Sequence, residues 1–380
     1  MTAKAYLTDI SLGRFDKAYE LLSAKSRAIC TSADYIAKSR EYYAAQPMLE
    51  FRDVQIFSLD KDSAVIGYQL KGSDSAWKPD YISFAREDGR WTRPYIWTLF
   101  QPIEDAENRK DFPQALGLAQ KLYETDPSDP RSSAYLCETE FFMRLYEKSM
   151  QSCRRTLDST PFYPVGFKSG ELYRFNLYYA DSLRFLQMDR VALMEYDKLL
   201  KWPGLTPEEQ CPLLLSRADS LVAVRDYDRA LPDVVMAEKV CTENPARDDV
   251  KKRMLFMNGG AGSEAIEFAK KSRFQTGMPP IGEAIRRQQE EFKARLGEGN
   301  AAFLPQDRWL AEHIAGPEYR VIMRQETLSP STKQKQTEDV FIFLVNLWTN
   351  KAKVEKAPPP PPPMQPPPQG AGGQQYNRGR

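Results

Sequence analysis

The sequence predicts an α+β protein of three folded parts and a tail, and three observations predict it. The hydrophobic period is helical up to residue 44, alternates from about residue 50 to 97, and is helical again from residue 100. Within that second helical stretch one short phrase recurs at repeat-like spacing. After Met278-Pro279-Pro280 the pattern changes once more. At 380 residues the chain exceeds one ordinary domain, so each part can bury its own core.

Residues 2–44 predict three helices, carried by Ala5, Leu7, Ile10 and Leu12, then Phe15, Ala18, Leu21 and Leu22, then Tyr35, Ile36, Tyr42 and Tyr43. Thr31-Ser32 is an N-cap signal for the third. Runs rich in β-branched and aromatic residues follow: Phe51 to Ile56, Val65 to Leu70, Tyr81 to Phe84 and Trp91 to Trp97. Turn residues at Asp60-Lys61-Asp62, Gly72-Ser73-Asp74 and Glu87-Asp88-Gly89 separate them, which predicts a four-stranded antiparallel meander. That element order, with Gly13 to Tyr19 opening the second helix and Asp88-Gly89-Arg90-Trp91 entering the last strand, resembles the nuclear-transport-factor-2-like fold shared with ketosteroid isomerases and SnoaL-type proteins. The resemblance covers residues 1–99 and implies a cone with a pocket between helices and sheet.

In the second stretch Asp111-Phe112-Pro113-Gln114-Ala115 and Asp226-Tyr227-Asp228-Arg229-Ala230 are two copies of one phrase. Weaker copies end at Ser149, Ala192 and Ala265, and Pro127 and Pro161 each lie twelve residues past the small residue of their copy. Twelve residues before each small residue, the first helix offers Ile103, Cys137, Ala180, Ala218 and Arg253. Small residues let paired helices cross closely, and proline ends the second helix of a pair. The pattern resembles the tetratricopeptide repeat and predicts five helical hairpins over residues 100–277, a solenoid with atypical end repeats.

Residues 278–355 predict a small α+β module: a charged helix from Ile281, a short helix around Trp309, and strands Tyr319–Leu328 and Val340–Thr349 joined as a hairpin. Residues 356–380 hold nine prolines and end in a glycine-rich stretch, so a disordered tail is expected. The tract could dock in an aromatic groove or act as a spacer, and Arg378-Gly379-Arg380 is too short to claim RNA binding.

Composition narrows the function. Lysine plus arginine number 53 against 52 acids, so no global field favours nucleic acid or an anionic membrane. One histidine, His313, removes most histidine-dependent chemistry and is expected to be structural. Five scattered cysteines lack metal-site spacing, nucleotide-binding loops are missing, and Asn258 to Gly262 is a turn between helices, so neither metal nor cofactor is expected. No apolar run is long enough to span a membrane. As written, the chain has no export signal and is expected in the cytoplasm, or in the cell envelope if a signal precedes the assigned start. Cys137 and Cys153 fall on facing helices, as do Cys211 and Cys241; small buried residues at a crossing are the simpler expectation, and disulfides would need an oxidising compartment.

The expected function is therefore protein–protein scaffolding on the concave face of the hairpins. One residue past each first-helix slot stand Glu104, Glu138, Asp181 and Asp219, a row of carboxylates, with Phe141, Phe142, Arg184 and Phe185 beside it. Such a row suits a peptide or protein with basic and apolar side chains, while ordinary solvated helix residues are the simpler account of the acids. The alternative is a small-molecule pocket in residues 1–99, as isomerase, cyclase or passive carrier. By residue type its candidates are Asp53, Tyr68 and Tyr81, with Phe51, Val54, Ile56, Ile66 and Phe84 available to plug the cone.

Overall fold

A computed structural model of the chain describes residues 2–274, 277–296, 303–329 and 332–357. From residue 358 on, the proline-rich tail lies outside the described residues. Helices and antiparallel sheets are both present, so the fold is α+β. The chain divides into two compact units, Met1–Ala246 and Arg247–Arg380.

The first unit opens with four helices rather than three: α1 (Thr2–Ser11), α2 (Phe15–Glu20), α3 (Ala24–Ile29) and α4 (Ser32–Ala45). The extra break comes from Ser23, whose side chain accepts the Ser26 amide at 3.1 Å and starts a new helix. Thr31 caps α4 in the same way through the Asp34 amide. Strands β1 (Glu50–Leu59), β2 (Ser63–Lys71), β3 (Trp77–Glu87) and β4 (Arg90–Thr92) form an antiparallel sheet in sequence order. The predicted strand Trp91–Trp97 stops at Thr92, because Pro94 cannot donate to a ladder, and Trp97 starts the next helix. A bulge in β1, with Asp53 at φ +54°, leaves Ile56 62 % exposed, so this residue does not plug the interior. Ile66 and Phe84 do pack in the core, with Leu7, Tyr35 and Ile82.

Four hairpins complete the unit: α5 (Trp97–Asn108) with α6 (Phe112–Thr125), α7 (Pro130–Phe142) with α8 (Tyr146–Ser159), α9 (Ser169–Phe185) with α10 (Asp189–Leu199), and α11 (Pro207–Ala223) with α12 (Tyr227–Val240). At the crossings Ile103, Cys137, Ala180 and Ala218 on the first helices are fully buried, as are Ala115, Ser149, Ala192 and Ala230 on the second. Within each pair the turn holds a non-glycine residue in the left-handed region: Lys110, Arg144, Gln187 and Arg225, at φ between +59° and +62°. Both cysteine pairs are bonded, Cys137 to Cys153 and Cys211 to Cys241, which corrects the expectation of simple packing; Cys30 is a buried free thiol.

The sheet and the first hairpins meet through buried polar groups. Ser83 on β3 donates to Asp126 at the end of α6, and Arg93 donates to the Ser83 hydroxyl at 2.8 Å. These bonds join residues 1–99 to the first hairpin within the first unit.

In the second unit α13 (Ala246–Met257), α14 (Gly262–Lys271) and α15 (Ile281–Leu296) accompany a four-stranded antiparallel sheet: β5 (Gln306–Ala315), β6 (Glu318–Leu328), β7 (Lys335–Asn346) and β8 (Lys351–Lys356). The fifth predicted hairpin, α13–α14, thus belongs with this unit. Ala265 and Ala269 of α14 and Ile281 and Ile285 of α15 share a core with Val321, Phe343 and other sheet residues. The Tyr319 hydroxyl donates to the Phe256 carbonyl and accepts from the Ala261 amide, fixing the α13–α14 turn to the sheet. Gly259, at φ +80° in that turn, lies where a Cβ would sit 3.0 Å from the His313 ring. The predicted helix around Trp309 is strand β5, and the predicted hairpin is four strands: a short run such as Trp309-Leu310-Ala311 fits either period, and pairing with β6 decides it. His313 is structural, its Nε2 2.8 Å from the Gly316 carbonyl oxygen.

Candidate functional site

The predicted carboxylates do stand on successive first helices: Glu104 on α5, Glu138 on α7, Asp181 on α9 and Asp219 on α11. Their partners follow a rule of their own. Tyr135 of α7 donates to Glu104 at 2.8 Å, Tyr178 of α9 donates to Glu138 at 3.4 Å, and Ser216 of α11 is a hydrogen-bond partner of Asp181. Each hydroxyl lies two residues before the small crossing residue of its helix, and each acid one residue after that of the preceding repeat. The row therefore ties first helix to first helix.

The two ends of the row differ. Arg184 lies 3.5 Å from Asp181 and 3.2 Å from Asp219, and Tyr196 donates to Asp181 at 2.6 Å. Burial pushes the Asp181 carboxyl up, against the pull of that guanidinium. At this end both carboxylates share one guanidinium. At the other end Glu104 and Glu138 line a cleft of about 760 Å³ between α5, α7 and α9, and Glu107 joins them. Phe100, Phe112, Tyr135, Phe142 and Phe175 supply apolar wall. Arg174 approaches Glu138 at 3.9 Å, but among the described residues neither Glu104 nor Glu107 forms an ion pair. Glu107 accepts a hydrogen bond from Thr139 at 2.9 Å. Burial, helped by the nearby Glu138 and Glu104 charges, pushes its pKa up to about 7. Glu107 was missed from the sequence because it sits a turn beyond the aligned slot; the signal was there, three residues after Glu104 on the same helix face.

The expected aromatic anchors stack on one another. Phe141 packs against Tyr178 at 4.7 Å and Phe185 against Tyr146 at 4.3 Å between ring centroids, with Arg184 over the Phe185 ring at 4.3 Å. Phe142 and Phe185 remain 45 % and 43 % exposed, whereas Phe141 is half-buried within the stack.

A second cavity, of about 420 Å³, lies inside residues 1–99 and is bounded on one side by Tyr163, Pro164 and Val165 of the α8–α9 connection. Of the candidates named by residue type, Tyr68 and Tyr81 line it. Asp53 does not; it sits exposed on the β1 bulge beside Arg52. Asp80, unnamed from the sequence, is the acid on the wall, opposite Tyr68 in the β2–β3 register and accepting its hydroxyl at 2.5 Å. No group of acids, histidines or cysteines suited to a metal ion occurs among the described residues. No helix among them is long and apolar enough to cross a membrane.

No family model matches the chain, and no curated protein matches it. Among solved structures the chain is similar to YrrB, described as a TPR protein with an unusual peptide-binding site, at 15 % identity and a TM-score of 0.34, over 44 % of this chain and 76 % of that one.

Proposed function

We propose that this chain is a non-enzymatic interaction protein whose hairpins are tetratricopeptide-like and whose α5–α7–α9 cleft holds a partner peptide. The peptide carries a basic side chain flanked by apolar ones. One observation carries this reading: Glu104 and Glu107 face an aromatic-walled cleft and, among the described residues, form no ion pair although Lys110, Arg131 and Arg174 also line it, while Asp181 and Asp219 at the far end share Arg184. A lysine or arginine entering the cleft would pair with these two carboxylates, and Phe142 would anchor its apolar neighbour. Paired helices locked at small buried crossings offer that surface preformed, so little order is lost on association.

The test is selection of peptides from a random display library by the intact chain, beside the triple variant Glu104→Gln, Glu107→Gln, Glu138→Gln. Selected peptides are expected to share a Lys or Arg next to an aromatic or branched residue, and to lose at least about tenfold in affinity for the variant at unchanged helical circular dichroism. Peptides without a basic residue, or equal affinity for both proteins, would overturn the reading.

A second reading is favoured by the open cavity among Tyr68, Asp80 and Arg93: residues 1–99, nuclear-transport-factor-2-like in element order, hold a small molecule. Four helices over a four-stranded meander, with a cavity of about 420 Å³ left beside a core that holds Ile66 and Phe84, support it.

A further inference from the structure

The cavity beside the first sheet, closed by Arg131 and Tyr163 from the hairpins, is lined by eight tyrosines, Tyr6, Tyr35 and Tyr68 among them, together with Trp97 and the charged residues Lys38, Asp80 and Arg93. Walls so rich in rings favour a flat ligand over a flexible aliphatic chain, because stacking orders a ring at low entropic cost. The polar groups inside are partly spent. Tyr68 donates to Asp80, whose other oxygen accepts the Tyr81 amide at 2.8 Å. The Tyr6 and Tyr35 hydroxyls lie 3.0 Å apart, and because one such bond uses one proton, the pair keeps a second to donate. Burial raises the Tyr35 and Tyr68 pKa values, so both hydroxyls stay protonated at neutral pH. A ligand oxygen that accepts a hydrogen bond fits this end.

Charge is uneven around the cavity. Arg93 is buried with Asp126 4.0 Å away, and Arg131 is held by Asp129 through two hydrogen bonds while its guanidinium covers the Trp97 ring at 4.5 Å. Asp80 accepts hydrogen bonds from the Tyr68 hydroxyl and the Tyr81 amide, which orient the carboxylate without cancelling its charge. Lys38 is exposed on the rim and, among the described residues, forms no ion pair. Trp97 and Tyr42, 47 % and 56 % exposed, frame the same opening. Of the lining cations, Lys38 alone has no ion-pair partner among the described residues, and it stands at the exposed end of the cavity.

We infer that this cavity binds a small, flat aromatic or polycyclic anion, its ring between the tyrosines, its acceptor oxygen toward Tyr6 and Tyr35, and its acidic group at Lys38. This rests on the pocket reading of residues 1–99; the cavity shares Arg131 and Val165 with the hairpin cleft but none of the cleft's carboxylates.

Two fluorescent probes separate the claims: 8-anilinonaphthalene-1-sulfonate and its uncharged counterpart N-phenyl-1-naphthylamine, titrated into the intact chain. The anion is expected to fill one saturable site and to bind more tightly than the neutral probe. Lys38→Glu, on the exposed rim, should weaken the anion about tenfold and change the neutral probe less than about twofold. Ser39→Trp, which fills the buried wall, should remove both probes, and the triple glutamine variant of the cleft should remove neither. Absence of any saturable site overturns the pocket reading and the inference with it. Binding of both probes with no preference for the anion, or with the anion unaffected by Lys38→Glu, leaves the pocket standing and overturns the anionic class. Loss of binding in the cleft variant would place the probe elsewhere and overturn the inference.

Discussion

Ser83, in the middle of β3, donates its hydroxyl to the carboxylate of Asp126, 43 residues away at the end of the first hairpin, at 2.5 Å. Both side chains are buried, and Arg93 stands behind them. A buried carboxylate beside a buried guanidinium is stable only while both are present. Asp126→Ala should therefore cost about 3 kcal/mol or more in urea unfolding. Ser83→Ala, which removes one hydrogen bond, should cost about 1–3 kcal/mol. A loss under about 1 kcal/mol for Asp126→Ala would show that the joint is dispensable.

The bonded cysteine pairs set a chemical count. The denatured, unreduced chain should take up one alkyl group, at Cys30, and five after reduction. Because Cys137 and Cys153 are 16 residues apart, opening that bond alone by Cys137→Ser with Cys153→Ser should lower stability by about 3 kcal/mol. Five alkyl groups without reduction would sink the pairing.

Glu107 predicts a pH dependence of known sign. Its pKa in the fold, about 7, lies above the ordinary value of 4.5, so between these pH values the folded chain holds a proton that the unfolded chain has released. The stability this group contributes is full below about pH 4.5 and lost as pH rises through about 7. Glu107→Gln should flatten that part of the curve when urea midpoints are compared at pH 5 and 7.5. Parallel curves for the two proteins would contradict the shift. Capture of a basic peptide should run the other way, tightening as Glu107 ionises.

Gln187, at φ +61° in the α9–α10 turn, holds a conformation that costs an ordinary residue about 1–2 kcal/mol. Gln187→Gly removes that strain at a smaller entropic loss and should stabilise by up to about 1 kcal/mol. Gln187→Val should destabilise by more than about 1 kcal/mol, since a β-branched residue fits this region worst. Thermal melts in the opposite order would reject the account.

What was legible in the sequence is what obeys a short-range rule. Four hairpin crossings were marked by Ala115, Ser149, Ala192 and Ala230 and their partners twelve residues earlier, because close helix contact permits only small or well-fitted side chains there. The meander β1–β4 was marked by alternation and turn residues. The break at Ser23 was missed because one capping hydrogen bond outweighed a continuous apolar pattern, and strand β5 because Trp309-Leu310-Ala311 suits either period. Spacing also aligned Glu104, Glu138, Asp181 and Asp219, but spacing says nothing of who neutralises whom.

By itself, then, the sequence determined the α+β class, the repeat phase of the hairpins and the helix face on which the carboxylates stand, since each depends on periodicity along one or two elements. Only the tertiary structure decided that Arg184 pairs with Asp181 and Asp219, that Glu107 lines a cleft with Glu104 and Glu138, and that α13–α14 belong with the second unit. It also turned Ile56 outward and set Tyr68 and Asp80 on the wall of a cavity. Those outcomes rest on contacts between residues far apart in the chain, where packing and charge pairing override local pattern.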